Sequence, residues 1–223
     1  MDCPVCGKSI CSCQLEDRTY LARAVGRELR QMGCGAPPLA TQNSGSFVFH
    51  SGDVRDNTIE TPPGICQFLH DLISKKYQVN TILDPCCGGG NLTRPWNCKI
   101  ISYEILQKKD FFKEQKKISC DLVLCNPPFN GATRFFPYLF LQKIYSLVNK
   151  KTPLALFTPM AFRLDQSKKS NRWRELRDDF PEITGIVSLP HDAFGKNVKV
   201  HSEILFFNLN KLKPHYFLPE KYL

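Results

Sequence analysis

The spacing of apolar residues changes character along the chain. Leu21, Val25, Leu29 and Met32 recur at helical spacing, so residues 16–32 are predicted helical. A loop rich in Gly, Pro and Ser follows over residues 33–46. Beyond an extended piece and an ordered loop, Thr61 ahead of Pro62 and Pro63 reads as a helix start, and Ile65, Phe68, Leu69, Leu72 and Ile73 form that helix's apolar stripe. From there short apolar runs alternate with helical patterns. "TILDP" predicts a strand ending at Asp84, "KIISYE" one ending at Glu104, and "CDLVLCNPP" one ending at Asn126. "TPLALFTP", "ITGIVSLP" and "HSEILFFNL" predict three more, with helices over residues 135–148 and 172–180.

This alternation points to an α/β fold with a mostly parallel, doubly wound sheet. Residues 1–46 form a Cys-rich segment plus helix, and residues 47–223 the main domain. In such sheets ligands bind outside the carboxyl ends of the strands. Asp84, Glu104 and Asn126 are all expected there, and three polar strand ends in succession mark a candidate site.

The residues around those ends suggest what the site holds. Gly88, Gly89 and Gly90 follow a strand directly, where missing side chains let the backbone turn tightly and approach a ligand. The Lys-Ser/Thr pair of a P-loop is absent and Thr93 breaks a GxGxxG match, so phosphate binding is poorly supported. Asp84 would repel phosphate and suits a cationic ligand. Glu104, twenty positions later, can accept two hydrogen bonds from a ribose diol. In "DFF", Asp110 offers a carboxylate to an adenine amino group and Phe111 a ring to its face. In "NPPF", the Asn126 amide oxygen and a carbonyl of the rigid proline turn can both accept from one –NH2, and Phe129 offers a stacking surface.

In that order, "TPPGICQFL", "DPCCGGG", "YE", "DFF" and "CDLVLCNPPF" resemble the motifs of S-adenosylmethionine-dependent N6-adenine methyltransferases. The group concerned places its first cofactor motif ahead of the catalytic one. "ITGIVSLPHDAFGKNVKVHSEILFFN" also looks like the closing strands of modification subunits of type I restriction systems. The resemblance covers residues 55–210 and implies a Rossmann-like class I methyltransferase domain. It implies that Asp84, Cys87, Gly88 and Gly90 hold the methionine part of S-adenosyl-L-methionine, with Thr61 and Pro62 closing over it. Glu104 would take the ribose hydroxyls, and Asp110 and Phe111 the cofactor adenine. The Asn126 side chain and Pro127 carbonyl would accept from the target amine, Pro128 would keep the turn rigid, and Phe129 would stack on the target base. The activity implied is methylation of adenine N6, in DNA first. Adenine in RNA, a glutamine side chain, or a catalytically silent subunit that binds nucleic acid are the alternatives, since NPPF also marks ribosomal-RNA adenine and release-factor glutamine methyltransferases. The chain departs from the family around the cofactor: residues 91–103 and 105–109 leave little room for a full helix in each gap or for a further strand in the second. Target reading would fall to the amino-terminal part, to residues 131–134 or to a specificity subunit.

Composition narrows the setting. With 42% hydrophobic and 23% charged residues among 223, the chain reads as globular. No apolar run reaches the roughly 18 residues of a membrane span, and "MDCPVCGKSICSC" lacks the form of a signal peptide, so a cytoplasmic or nuclear protein is expected. The net charge of +9, with basic runs in "QKKDFFKEQKK" and "LDQSKKSNRWRELR", favours a polyanionic partner over a merely solvated face. Among eleven cysteines, Cys3, Cys6, Cys11 and Cys13 crowd one short segment in which "CPVCGK" has zinc-knuckle form, and a closed structural zinc site is expected there, with free thiols as the alternative. Cys66, Cys86, Cys87, Cys98, Cys120 and Cys125 are expected to be small buried hydrophobes. The histidines are dispersed, and only His191, in "LPHDAFG", is placed near the crevice.

Overall fold

The computed structural model describes residues 59–129, 136–164, 167–195 and 200–223. The amino-terminal helix, the candidate zinc ligands Cys3, Cys6, Cys11 and Cys13, and loop 131–134 lie outside the described residues. All six predicted strands are present: β1 (Thr81–Asp84), β2 (Lys99–Ser102), β3 (Leu122–Cys125), β4 (Leu154–Pro159), β5 (Ile183–Ser188) and β6 (Ser202–Phe207). A seventh, β7 (His215–Phe217), was not predicted; it is three residues long, pairs only with β5, and carries an exposed–intermediate–exposed pattern with no apolar periodicity to read. The helices are α1 (Pro63–Ser74), α2 (Phe136–Leu147), the one-turn α3 (Ala161–Leu164), also unpredicted, and α4 (Asn171–Asp178).

The seven strands form one sheet in the order β2-β1-β3-β4-β6-β5-β7. All neighbours are parallel except β6, which runs antiparallel to both β4 and β5. The sheet is therefore mostly parallel and doubly wound, with one reversed strand near its far side. Among the described residues there is no helix between β5 and β6, and antiparallel neighbours need no crossover helix.

Period-two alternation sorts the strand residues onto two covered faces. Ile82, Leu122, Leu124, Phe157, Ile204 and Phe206 pack with Ile65, Phe68, Leu69 and Ile73 of α1. Leu83, Val123, Cys125, Leu156, Leu205 and Phe207 pack with Phe140, Leu141, Ile144 and Tyr145 of α2. The strands of the middle are buried on both sides, which is why they read as continuous apolar runs. At the carboxyl edge, Arg163 of α3 forms a two-pronged ion pair with the buried Glu203 of β6, at 2.8 and 3.0 Å.

The connections on either side of β2 are short. Residues 91–95 form successive turns, Leu92 and Trp96 are buried there, and two short 3-10 turns (Ile105–Gln107 and Phe111–Lys113) occupy the space before β3. Among the described residues no strand lies outside β2, which is an edge of the sheet they form. It also stops at Ser102, two residues before the predicted end: Glu104 belongs to an isolated bridge with Lys109 and caps the next turn. The side chain of Glu104 accepts from the Leu106 N–H at 3.0 Å, and that local bond competes with continuing the strand.

Helix α1 starts with proline at its first position, and Pro62, not Thr61, is its N-cap. Its outer face is braced by the carboxyl-terminal turn. A methyl group at Gly64 would collide with the Tyr222 carbonyl, the Tyr222 hydroxyl donates to Asp71 Oδ2 at 2.8 Å, and the Tyr222 ring meets Phe68 edge-on at 5.4 Å. Of the expected buried cysteines, Cys66 and Cys125 are fully buried, whereas Cys86, Cys87, Cys98 and Cys120 are partly exposed. Those four lie in loops at the strand ends, and Cys86 and Cys120 still pack against the core layer beside α2.

Candidate functional site

The turn after β1 is shaped by glycine. Gly88 and Gly90 take positive φ values of 52° and 80°, a region that side chains disfavour, and the Gly90 N–H closes the turn on the Cys87 carbonyl at 2.7 Å. The Cys87 N–H donates to the Tyr103 carbonyl at 2.9 Å, tying the turn to the chain beyond β2. Two of its amides are then taken by acids. Gly88 N–H donates to Glu104 Oε2 and Gly89 N–H to Glu60 Oε1, both at 2.8 Å. Glu60 was not singled out from the sequence. Its place directly before the "TPP" segment was the available signal, once that segment is folded against the glycine turn.

Asp84 completes a group of three carboxylates. It is fully buried; Oδ1 accepts from the Cys86 N–H at 3.3 Å, and no described residue donates to Oδ2. Burial pushes its pKa up to about 7; the Cys86 bond opposes this, and the neighbouring Glu104 and Glu60 charges add to it. A buried carboxyl with an open oxygen is costly unless a donor or cation meets it. The donor set therefore fits a cationic ligand and rejects phosphate.

The turn after β3 has the opposite backbone. Pro127 is buried and Pro128 exposed, and neither has an N–H. The Asn126 side chain is half-buried, and its Nδ2 donates to the Thr61 hydroxyl at 2.9 Å, with Thr61 buried beneath it. No described residue donates to Asn126 Oδ1. Phe129 is half-buried and meets Phe194 edge-on at 6.2 Å; Phe194 in turn meets Phe157 at 6.2 Å. Phe194, four residues beyond Pro190, is a second residue that sequence reasoning missed, although its segment was marked through His191. His191 itself is exposed and lies 6.3 Å from His201, ring to ring.

The two turns also meet through sulfur. Cys86 Sγ lies 3.7 Å from Cys125 Sγ, and burial pushes both thiols above their ordinary pKa, so both are neutral and act as packing groups. In the turn that follows β2, Asp110 Oδ1 accepts from the Phe112 N–H at 2.9 Å, which leaves Oδ2 for a ligand. Phe111 is buried, lies parallel to Phe140 at 6.0 Å, and meets Tyr103 edge-on at 5.2 Å, while Phe112 beside it is half-buried. Among the described residues there is no group of three or more side chains able to hold a metal ion.

No family profile matches the chain, and no curated protein matches it in sequence. Solved structures do. A modification subunit of a putative type I restriction enzyme from Vibrio vulnificus YJ016 superposes with a TM-score of 0.52 at 19% identity, over 76% of this chain and 49% of that one. A component of a type I restriction-modification system gives 0.51 at 17% identity, over 72% and 45%. The M protein of the type I restriction enzyme EcoKI gives 0.50 at 15% identity, over 72% and 48%. The fold resembles that of type I modification subunits. The chain spans about half the length of these structures, and at such identities the likeness concerns the fold.

The glycine and proline turns lie at the carboxyl ends of neighbouring parallel strands, β1 and β3, the edge at which open α/β sheets bind ligands. The sequence-predicted residues Thr61, Asp84, Gly88, Glu104 and Asn126 are joined here by the contacts given above. Asp110 and Phe111 lie in the separate turn that follows β2. Among the described residues no helix is long and apolar enough to cross a membrane.

Proposed function

We propose that the chain transfers a methyl group from S-adenosyl-L-methionine to the N6 amine of adenine in DNA. The observation that carries this reading is the meeting of two acceptor-rich turns: a glycine turn ringed by Asp84, Glu60 and Glu104, and a proline turn whose Asn126 Oδ1 stands open. Bound at the first turn, S-adenosyl-L-methionine supplies a methyl group activated by a positively charged sulfonium. Asp84 and Glu60 favour that charge, and the remaining lone pairs of Glu104 suit ribose hydroxyls. Asp110 Oδ2 and the aromatic group of Phe111 and Phe112 serve the adenine end.

At the second turn, Asn126 Oδ1 and the Pro127 carbonyl accept the two hydrogens of the target amine. That aligns the nitrogen lone pair with the methyl group and removes one rotational freedom from a weak nucleophile. Both acceptors bind more strongly as positive charge develops on nitrogen, so they stabilise the transition state more than the ground state. The extra proton then leaves to solvent. Phe129, held edge-on by Phe194, stacks on a base taken out of the duplex and offsets part of the unstacking cost, about a few kcal/mol. The charge of +9 supports a nucleic acid over a protein acceptor. Recognition of a target sequence is assigned to a partner subunit.

The test is titration of S-adenosyl-L-methionine by calorimetry, followed by labelled methyl transfer to duplex DNA, single-stranded DNA, RNA and protein lysate. Cofactor binding with label at adenine N6 in DNA is expected. Absence of cofactor binding overturns the enzyme reading, and label confined to protein moves the acceptor to a glutamine amide.

A further inference from the structure

Glu60 and Thr61, adjacent in sequence, touch both turns at once. Glu60 accepts from the Gly89 N–H of the glycine turn, and the Thr61 hydroxyl accepts from the Asn126 amide of the proline turn. Thr61 is 4% exposed, so water does not compete for that bond. Nor does its hydroxyl cap the helix it precedes, the usual task of a threonine in such a place: α1 has Pro62 as its N-cap and no side-chain cap.

A primary amide has a donor end and an acceptor end of nearly the same shape, so packing alone does not distinguish its two orientations. A threonine hydroxyl can serve either end, so its bond anchors the amide's place and plane; in this structure the end it takes is Nδ2. With Nδ2 tied to Thr61, the oxygen is the atom left open. Reversed, the amide would set its own N–H groups against the hydrogens of an entering amine, two donors facing two donors. The reacting geometry therefore depends on a residue that touches neither reacting atom.

We propose that Thr61 is a positioning residue for the transfer: its buried hydroxyl takes the Asn126 Nδ2 hydrogen and so holds Oδ1 toward the amine. This rests on the reading of the site as an amine methyltransferase. It gives Thr61 a role distinct from closing over the cofactor. It also makes the Glu60–Thr61 segment a bridge through which the glycine turn and the catalytic amide are held in one register.

Thr61→Val keeps the side chain's size and removes the acceptor, whereas Thr61→Ser keeps the acceptor. In methyl transfer to duplex DNA, Thr61→Val is expected to lower kcat about ten- to a hundredfold while cofactor affinity stays within about threefold, and Thr61→Ser to recover kcat to within about threefold. In 15N-labelled protein the Asn126 side-chain amide signals should move in the valine variant and stay in place in the serine variant. Thr61→Ala carries the same expectations should the valine variant not fold. Unchanged kcat in Thr61→Val, a serine variant as impaired as valine, or a loss explained wholly by weaker cofactor binding overturns the assignment. If the unmodified protein transfers no methyl group to any acceptor, the reaction reading fails and takes this inference with it. If it does transfer and Thr61→Val is fully active, only the role of Thr61 is lost.

Discussion

The turn after β1 and the turn after β3 reach the same chemistry by opposite means. The glycine turn is rich in backbone donors, and it becomes an acceptor-lined surface because Glu104 and Glu60 take the Gly88 and Gly89 amides and bring negative charge with them. In the proline turn, Pro127 and Pro128 have no amide hydrogens to cover, so their carbonyls and Asn126 Oδ1 are acceptors from the start. One turn needs two carboxylates from elsewhere in the chain; the other carries its acceptors within its own residues. A ligand bridging the two must be cationic at one end and an N–H donor at the other. A sulfonium cofactor beside an exocyclic amine meets that description, and a phosphate does not.

Asn126→Ala breaks the proline side of this comparison and has the largest expected effect. Methyl transfer should fall about a hundred- to a thousandfold or more in kcat, with cofactor affinity within several-fold, because the acceptor acts on the amine and not on the glycine turn. Single-turnover transfer beside calorimetric titration separates the two quantities. A variant that transfers at full rate removes Asn126 from the reaction.

Asp84→Asn probes the other turn, with two effects of opposite sign. Burial holds the Asp84 carboxyl at about 7, well above its ordinary value near 3.8, so the folded state binds this proton more tightly than the unfolded chain. Stability should therefore decline as pH rises from about 4 to 7, and the full cost of a buried charge remains above 7. The asparagine variant escapes that cost and should be more stable above pH 7 by about 2–4 kcal/mol. Its cofactor affinity should nevertheless drop about tenfold or more, for want of the charge that meets a cation. In the unmodified protein, affinity for S-adenosyl-L-methionine should rise as pH climbs toward 7 and level off beyond, and that slope should vanish in the variant. Thermal melts and titrations between pH 5.5 and 8.5, about one to two units either side of the midpoint, check both effects.

The proline turn was also the more legible of the two. The buried strand that ends at Cys125, the two residues without an N–H and the half-buried ring are contiguous in "CNPPF", so its geometry could be read from one local stretch. The glycine turn gave up its shape but not its partners. Glu104 was read as a strand end, yet the strand stops at Ser102 because the side chain bonds its own downstream amide. Glu60 lies 29 positions before the amide it binds, and no local pattern carries a contact of that range. Phe194 escaped for the same reason: its partner Phe129 is distant in sequence, and the ring reads only as an apolar residue in a loop. The central strands were legible because burial on both faces leaves continuous apolar runs, whereas β7 is a half-exposed edge with no such pattern. Periodicity reports which layer covers a residue, while a site is made by segments that periodicity treats as separate.

The smallest effect should come from Glu60→Gln, which keeps a hydrogen-bond acceptor for the Gly89 amide and removes only the charge. Glu60 is exposed, so solvent screens it, and cofactor affinity should weaken by no more than about two- to fivefold. Its influence on Asp84 sharpens the comparison further. The Glu60 charge helps to raise the Asp84 pKa, behind burial and behind Glu104. With glutamine in its place, the pH midpoint of cofactor binding should slide downward. A Glu104→Gln variant should move it further, since Glu104 is the larger of the two contributors. If instead Glu60→Gln leaves the midpoint untouched while Glu104→Gln shifts it, the glycine turn is charged from one side only. Glu60 then serves as a strut that holds the Thr61 segment in place, and the asymmetry between the two turns is smaller than the three carboxylates suggest.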